Sequence, residues 1–406
     1  METEMKVAGQ TLNAQCEDWL VIEQFLMSNY RFRRNVLNGK VEFAKTEAEG
    51  VEPLEENFRP LTQEALNSII IHAIRQNVLE KGNPKAPIEM YVRSEEVPEF
   101  NPIRQYLEHL PQWDGKNHVA TLFNRLPGVS SEQASFLAVW LRSTVAHWLQ
   151  MDLLHGNECV PVLIGEQGCG KTVFLRRLLP PQLQDYFLDH LNLSNKFDKE
   201  MALTNNLLVN LDEMDTITRS QQPSLKQTLS RNKVNGRPIY GTVQEDRKRF
   251  ASFVASTNNR HPLQDATGSR RFICLEIPKG QRIDNDGDID YEQLYAQVLY
   301  EIREEKAPYW FNNDEVARIQ ELNMEFMQQQ DMAEMVKVCF RKPAEGETAN
   351  PLNTTELLEV IQLTYPSVVI NHKNRVLVGC AMQERGYEQT HPHNIAHYKA
   401  IPLKAA

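Results

Sequence analysis

Cysteine is sparse in this 406-residue chain, and none of the six (Cys16, Cys159, Cys169, Cys274, Cys339, Cys380) forms a C-x-x-C pair. That scatter argues against a zinc ribbon and a disulfide framework, and for a reducing, cytoplasmic setting. No apolar run approaches the roughly 18 residues needed to span a bilayer. The first residues, Met1 to Lys6, lack the apolar core of a secretory signal. No membrane partner is therefore expected. Basic charge is also short: 44 Lys and Arg stand against 54 Asp and Glu, a formal net charge of −10. A protein that coats nucleic acid with its whole surface should be basic, so any DNA contact here must be a local patch. No internal repeat and no low-complexity tract is present. The remaining composition is that of a globular protein, and the length predicts two or three domains.

What the chain does have is Gly165-Glu166-Gln167-Gly168-Cys169-Gly170-Lys171-Thr172, which fits G-x-x-x-x-G-K-[ST]. In this phosphate-binding loop the glycines let the backbone curl so that N–H groups point at phosphate oxygens. Lys171 supplies positive charge to the β- and γ-phosphates of ATP, and Thr172 a hydroxyl to Mg²⁺. An apolar run of strand length, Cys159 to Ile164, precedes the loop, and a helix-spaced run, Val173 to Leu179, follows it before Pro180-Pro181. Strand, loop and helix are the context the motif requires.

Hydrolysis needs more than this loop. Leu207 to Leu211 reads as an apolar strand ending in Asp212-Glu213. Asp212 is placed to hold Mg²⁺ and Glu213 to polarise an attacking water; a solvated loop is the plainer alternative. A third strand, Phe250 to Ser256, leads into Thr257-Asn258-Asn259, where Asn258 is the candidate γ-phosphate sensor. Then come Arg270 and Arg271, ahead of a strand from Phe272. Arginine suits contact with a phosphoryl group carrying transition-state charge. One of the pair is expected to reach a neighbouring subunit's nucleotide; a surface ion pair is the other reading. Between carboxylates and sensor lie six basic residues, Arg231, Lys233, Arg237, Arg247, Lys248 and Arg249, against Glu245 and Asp246. Asn235-Gly236 suggests the tip of a hairpin, and Arg231, Lys233 and Arg237 are the candidate grips on a DNA backbone. A solvated charged loop would look the same.

Along the chain, residues 1–100 read as an accessory region, with helices at 18–30 and 63–79 and a hairpin from Phe32 to Ala44. Residues 101–158 form a helical entry segment whose last helix, 132–151, is apolar nearly all round and should be buried. Strands and helices alternate over 159–280, the pattern of a parallel sheet. Residues 281–330 are a helical extension, and 331–406 hold two helices and a hairpin, the size of a winged-helix module. The acidic run Asp284 to Asp290 fails as a calcium loop, because its glycine position holds Ile289. His391, His393 and His397 are too irregularly spaced to argue for a metal site with Cys380.

Together these residues resemble the virulence-associated protein E family, which sits with the superfamily 3 helicases of the AAA+ type in phages, satellites and other mobile elements. The resemblance rests on Gly165–Thr172, Leu208–Glu213, Ser230-Arg231, Arg237–Gly241, Ser256–Asn258 and Leu263–Phe272. It continues upstream in Asn101–Ile103 and Leu110–Gly115, and downstream in Ile289-Asp290 and Leu294–Gln297. It implies an α/β fold with a P-loop AAA+ core and a ring, usually of six subunits, with ATP sites between neighbours. Ile239 departs from the family's aromatic or proline at the hairpin. The implied function is an ATP-driven helicase acting on single-stranded or forked DNA in the replication of a mobile element. Residues 1–100 show neither the carboxylate cluster nor the zinc module of a primase, so any primase or initiator partner is expected to be a separate chain. The rival reading is an AAA+ ATPase that remodels a protein partner, or serves defence or signalling, without moving on DNA.

Overall fold

The computed structural model describes residues 14–46, 55–151, 157–218, 220–236, 245–264, 268–327, 332–344, 346–366, 368–392 and 395–403. A helix, Ala14–Asn29, opens the described chain and runs into an antiparallel hairpin, Tyr30–Asn35 with Val41–Lys45. Gly39 turns it at φ +68°, a left-handed position that costs a glycine nothing. Arg59–Pro60 and Glu99–Phe100 extend the hairpin to four strands. Helices Gln63–Arg75 and Lys85–Arg93 pack on the same face, enclosing Ile22, Leu26, Phe43, Ile69 and Ile88. The second of these helices was not expected, since Pro84 and Pro87 punctuate it; both fall at its start, where a missing N–H does no harm.

Five strands form the central parallel sheet: β1 (Val160–Ile164), β2 (Phe187–Leu188), β3 (Leu208–Leu211), β4 (Ser252–Thr257) and β5 (Phe272–Glu276). They run in the order β5-β1-β4-β3-β2. β1, β3 and β4 are buried along their whole length, as strands covered on both faces must be. One face packs on α1 (Ser131–Trp148), α2 (Lys171–Arg176) and α5 (Tyr291–Arg303). Trp140, Val145, Phe174, Leu175 and Val298 there meet Leu163, Leu208, Val254 and Leu275. The other face packs on α3 (Lys196–Asn205) and α4 (Gln222–Ser230) through Leu203, Leu225 and Leu229. Each such buried aliphatic contributes roughly 1.5–3 kcal/mol. α1 is buried on nearly every side, as its sequence predicts, and starts in a capping box between Ser130 and Gln133. A sixth core helix, α6 (Asn313–Asn323), anchors the turn before β5: Asn323 Nδ2 donates to the carbonyls of Ser269 and Phe272, each at 2.7 Å.

The last segment has three helices rather than two: Met332–Cys339, Thr354–Thr364 and His372–Glu384. The extra one is short, eight residues, and its sequence signal is correspondingly weak. A small antiparallel sheet has the order Pro351–Asn353, His397–Lys399, Gln389–Thr390. Val336, Leu357, Leu358, Ile361, Val378, Met382 and Tyr398 form its core. No helix among the described residues is long and apolar enough to cross a membrane.

Candidate functional site

The sheet order decides what can meet. β4 lies between β1 and β3, pairing Thr257 with Ile164 on one side and Ala255 with Leu211 on the other. β1 and β4 therefore end level, and β3 ends two residues short of them. The next residues, Gly165, Asn258 and Asp212, stand along one edge of the sheet. In open parallel sheets this carboxyl edge, where neighbouring connections diverge, is where ligands bind.

From β1 the chain enters the glycine loop. Gly168 and Gly170 have φ of +80° and +96°, conformations a side chain would strain. Gly165 lies close against β5: a Cβ there would come 3.0 Å from that of Ile277. At Gly170 a Cβ would come 2.4 Å from Asn285 Nδ2, which itself donates to the Gly170 carbonyl at 3.0 Å. Ile283 N–H donates to the Cys169 carbonyl at 3.0 Å. The 283–285 segment thus buttresses the loop from outside, a role that the sequence, where it reads as an acidic surface turn, does not reveal.

Lys171 begins α2 and is 8% exposed. Its ammonium donates to the carbonyls of Gly165 at 2.8 Å and Glu166 at 3.0 Å, and to Asn258 Oδ1 at 2.8 Å. Two residues 87 positions apart, chosen from sequence as phosphate cation and sensor, are in direct contact. The Cys169 thiol packs beside them, buried, 3.9 Å from the ammonium. Thr172, Glu166, Gln167 and Gly168 are exposed.

Opposite the loop, Asp212 is half-buried and accepts a hydrogen bond from the Ser256 hydroxyl. Glu213 is exposed and left-handed, at φ 48° and ψ 49°, a conformation costing roughly 1–2 kcal/mol for a residue with a Cβ. Asp215, which sequence reasoning missed, accepts from the Thr257 hydroxyl. Both hydroxyls belong to β4, so a Ser-Thr pair at its end ties down two of the three carboxylates that follow β3. Nothing in the Asp212 to Asp215 run marks the third carboxylate in advance.

The two arginines separate. Arg271 pairs with Glu158 at 3.0 Å and is largely covered. Arg270 is exposed and makes no hydrogen bond or ion pair among the described residues. The preceding Asp265 to Thr267 lie outside the described residues.

The basic stretch does form a hairpin, Lys233–Gly236 against Glu245–Lys248. Asn235-Gly236 is not its tip: both residues are paired in the strand, with Asp246 and Glu245. Residues 237–244, and Arg237 with them, lie outside the described residues. Charge is partly neutralised at its base. Lys233 pairs with Asp246 at 2.5 Å, and Arg231 lies 3.9 Å from Glu200. Arg247 donates to Asn205 Oδ1 at 2.9 Å. Arg249 is fully buried. Its guanidinium donates to the carbonyls of Ala251 at 2.7 Å, Leu229 and Arg231 at 2.6 Å each, and Asn157 at 3.1 Å. The reading of Arg249 as one more surface cation is thereby corrected: it is a structural clamp beneath the hairpin.

With this geometry in view, comparison with known proteins places the chain. The family model of the virulence-associated protein E-like domain matches residues 107–328, more than half of the sequence. The chain belongs to the virulence-associated protein E-like family. The matched span runs from the Pro102–Glu108 helix to just beyond α6 and contains the whole central sheet. Among solved structures, the chain is similar to the apo structure of the NrS-1 C terminal region (305–718), with 12% identity and a TM-score of 0.45, over 95% of this chain and 99% of that one. It is also similar to an A form apo structure of that region, at 12% identity and a TM-score of 0.43, over 94% and 98%. No curated protein matches.

Proposed function

We propose that this virulence-associated protein E-like chain is an ATP-hydrolysing DNA translocase, a helicase of the superfamily 3 type, serving replication of a phage, satellite or other mobile element. The observation that carries the reading is the contact between Lys171 and Asn258 beside Asp212, along the carboxyl edge formed by β1, β4 and β3. A glycine loop with its cation, an amide and a carboxylate converge there from three separate stretches of sequence. The residues suit a magnesium nucleotide. Lys171 has carbonyl and amide partners but no carboxylate among the described residues, so its charge remains to be met by an anion. The Ser256 hydroxyl leaves Asp212 further acceptor capacity.

In this account the loop N–H groups and Lys171 hold the phosphates of ATP, and Thr172 and Asp212 hold Mg²⁺. When bound, these supply the phosphoryl group that is transferred to water and the positive charge that neutralises it. Glu213, exposed just past Asp212, accepts the proton of the attacking water. Asn258 orients that water, and Arg270 reaches the site of a neighbouring subunit in a ring, which we read as a hexamer. Residues 159–280 are then the AAA+ core, and 331–406 a winged-helix-like domain. Single-stranded DNA passes the hairpin of Arg231, Lys233 and Arg237, and any priming activity belongs to a separate chain.

One observation favours the rival reading, an ATPase that remodels protein. The hairpin's base spends Lys233 on Asp246 and hides Arg249, leaving less free charge than the sequence promises. The experiment that separates them is strand displacement on forked DNA with ATP, comparing the unaltered chain with Glu213→Gln. A displaced strand from the former alone supports translocation. ATP turnover without displacement, by rings shown to form, favours the remodeller.

A further inference from the structure

Beyond β5 the chain does not leave the glycine loop but follows it. Ile277 N–H donates to the Ile164 carbonyl at 2.7 Å, at the end of β1. Gly280 N–H donates to Glu166 Oε2 at 3.3 Å, Ile283 N–H to the Cys169 carbonyl at 3.0 Å, and Asn285 Nδ2 to the Gly170 carbonyl at 3.0 Å. Residues 277–285 thus meet positions 164, 166, 169 and 170 in order, as a strap laid along the loop. The strap is itself tied down. Asp284 N–H donates to the Arg125 carbonyl at 3.2 Å, and the Arg125 guanidinium to the Gly287 carbonyl at 2.8 Å. Arg177, the residue after α2, donates to the carbonyls of Asn285 and Gly287. One stretch of chain therefore holds α2 at both ends, through Gly170 before it and Arg177 after it.

The direction of these bonds gives them a consequence for phosphate. A trans peptide points its C=O and its N–H in opposite directions. Ile283 draws the Cys169 carbonyl towards the strap, so the Gly170 N–H of the same peptide points away from it. The Gly170 carbonyl accepts from Asn285 and also from Phe174 N–H at 3.0 Å, which directs the Lys171 N–H in the same way. Neither the Gly170 nor the Lys171 N–H has a partner among the described residues, so both can meet an anion. Gly170 sits at φ +96°. Glycine takes positive and negative φ about equally well, so the residue does not choose this conformation by itself, and a restraint from outside selects it. Asn285 supplies that restraint in an otherwise unfavourable place. Its Oδ1 is buried with no partner among the described residues, a situation that an apolar side chain of similar size avoids.

We propose that residues 277–285 are a strap that fixes the phosphate loop in its anion-binding shape before nucleotide arrives, with Asn285 as a positioning residue. The inference rests on the nucleotide-binding reading given above, and assigns the shape of the loop to a segment downstream of β5. Asn285 acts through Gly170 and Lys171 rather than on the reacting atoms. A loop that is competent only part of the time binds with an affinity reduced by that fraction. Binding strength that is the same in the ground state and the transition state lowers KM without raising kcat. Loosening the strap should therefore raise the KM for ATP and spare kcat.

The test uses the full chain. ATP with Mg²⁺ is titrated by calorimetry in a Glu213→Gln background, which prevents turnover, and steady-state rates are measured without that change. Asn285→Ala should weaken ATP binding about fivefold, the effect of one lost hydrogen bond, and raise KM by a similar factor with kcat within about twofold of the parent. Asn285→Leu removes the donor and the orphaned Oδ1 together. It should weaken ATP binding as much while keeping a melting temperature at or above that of the parent, which separates lost affinity from lost fold. Hydrogen exchange in the nucleotide-free chain should be slow at the Ile283 amide and faster in both variants, a readout that needs no ATP. A dissociation constant within about twofold of the parent in both variants, or a fall in kcat at unchanged KM, would overturn the inference. Rapid exchange at Ile283 in the parent would do the same. A parent chain that binds no ATP overturns the function proposed above and this inference with it, whereas ATP bound equally by parent and variants overturns this inference alone.

Discussion

Arg249→Met removes a fully buried guanidinium and strands the four carbonyls it serves, those of Leu229, Arg231, Ala251 and Asn157. An orphaned buried acceptor costs about 1–3 kcal/mol, which sets a ceiling several times larger than any single contact. Part of that is recovered, because the methionine no longer buries a charge. The net expectation is a loss of about 3–5 kcal/mol, comparable to breaking a buried ion pair. Against a total stability of about 5–15 kcal/mol, that is severe but leaves folded protein at low temperature. Two of the four carbonyls, Leu229 and Arg231, lie where α4 gives way to the hairpin, so the loss should also free the hairpin's base. Arg249→Lys keeps the charge but brings three donors from one point and should fall between. Urea denaturation measures the change in midpoint and slope, and limited proteolysis between 231 and 249 reports the release. A loss under about 1 kcal/mol, together with a reduced salt slope for single-stranded DNA, would refute the clamp and return Arg249 to the DNA-facing surface.

Three further outcomes follow from the same geometry. Arg270→Ala should lose ATP hydrolysis while keeping nucleotide affinity, with partial rescue on mixing with Lys171→Ala, whereas Arg271→Ala should mainly cost stability through its ion pair with Glu158; equal catalytic losses with no rescue would contradict the division. Lys233→Ala combined with Arg237→Ala should weaken single-stranded DNA binding and flatten its salt dependence in a protein that still hydrolyses ATP, read by titration at several salt concentrations. His147 is buried in α1 with both ring nitrogens unpartnered, and burial, reinforced by the charge of Arg249, holds it down to about 3. Its neutral form is the folded one, so its contribution is full above the unfolded value near 6.5 and declines as pH falls from there towards 3. Relative to His147→Phe, the unaltered chain should lose roughly 2 kcal/mol between pH 6.5 and 4.5, the slope approaching 1.36 kcal/mol per pH unit well below 6.5. Parallel pH profiles for the two proteins would contradict this.

Several parts of this architecture are legible in the sequence because the physics is local. A continuous apolar run is what a strand covered on both faces requires, and Val160–Ile164 and Leu208–Leu211 are such runs. The glycine loop announces itself because only glycine takes the φ of Gly168 and Gly170 without strain. Asn258 was accessible for a less local reason: it follows a third apolar strand at the right remove, and the sheet order then brings it to Lys171. What stayed hidden depends on distant partners. Asn285 looks like a surface amide until the loop closes on it, and Asp215 looks like any acidic turn residue until β4 brings Thr257 alongside. Arg249 sits among cations that read as one solvated stretch, and only the fold shows four carbonyls converging on it. Asn235-Gly236 has the chemistry of a tight turn, but both residues are paired in the ladder, opposite Asp246 and Glu245.

The central claim is that the convergence of Lys171, Asn258, Asp212 and Glu213 is an ATP-hydrolysing site coupled to DNA. Its most direct measurement is the steady-state rate of ATP hydrolysis by the purified full chain, with and without single-stranded DNA, beside Lys171→Ala and Glu213→Gln. The account predicts Mg²⁺-dependent turnover that single-stranded DNA stimulates, no nucleotide binding in Lys171→Ala, and nucleotide binding without turnover in Glu213→Gln. Turnover in Glu213→Gln at the unaltered rate, or hydrolysis in the parent chain that DNA leaves unchanged, would contradict it.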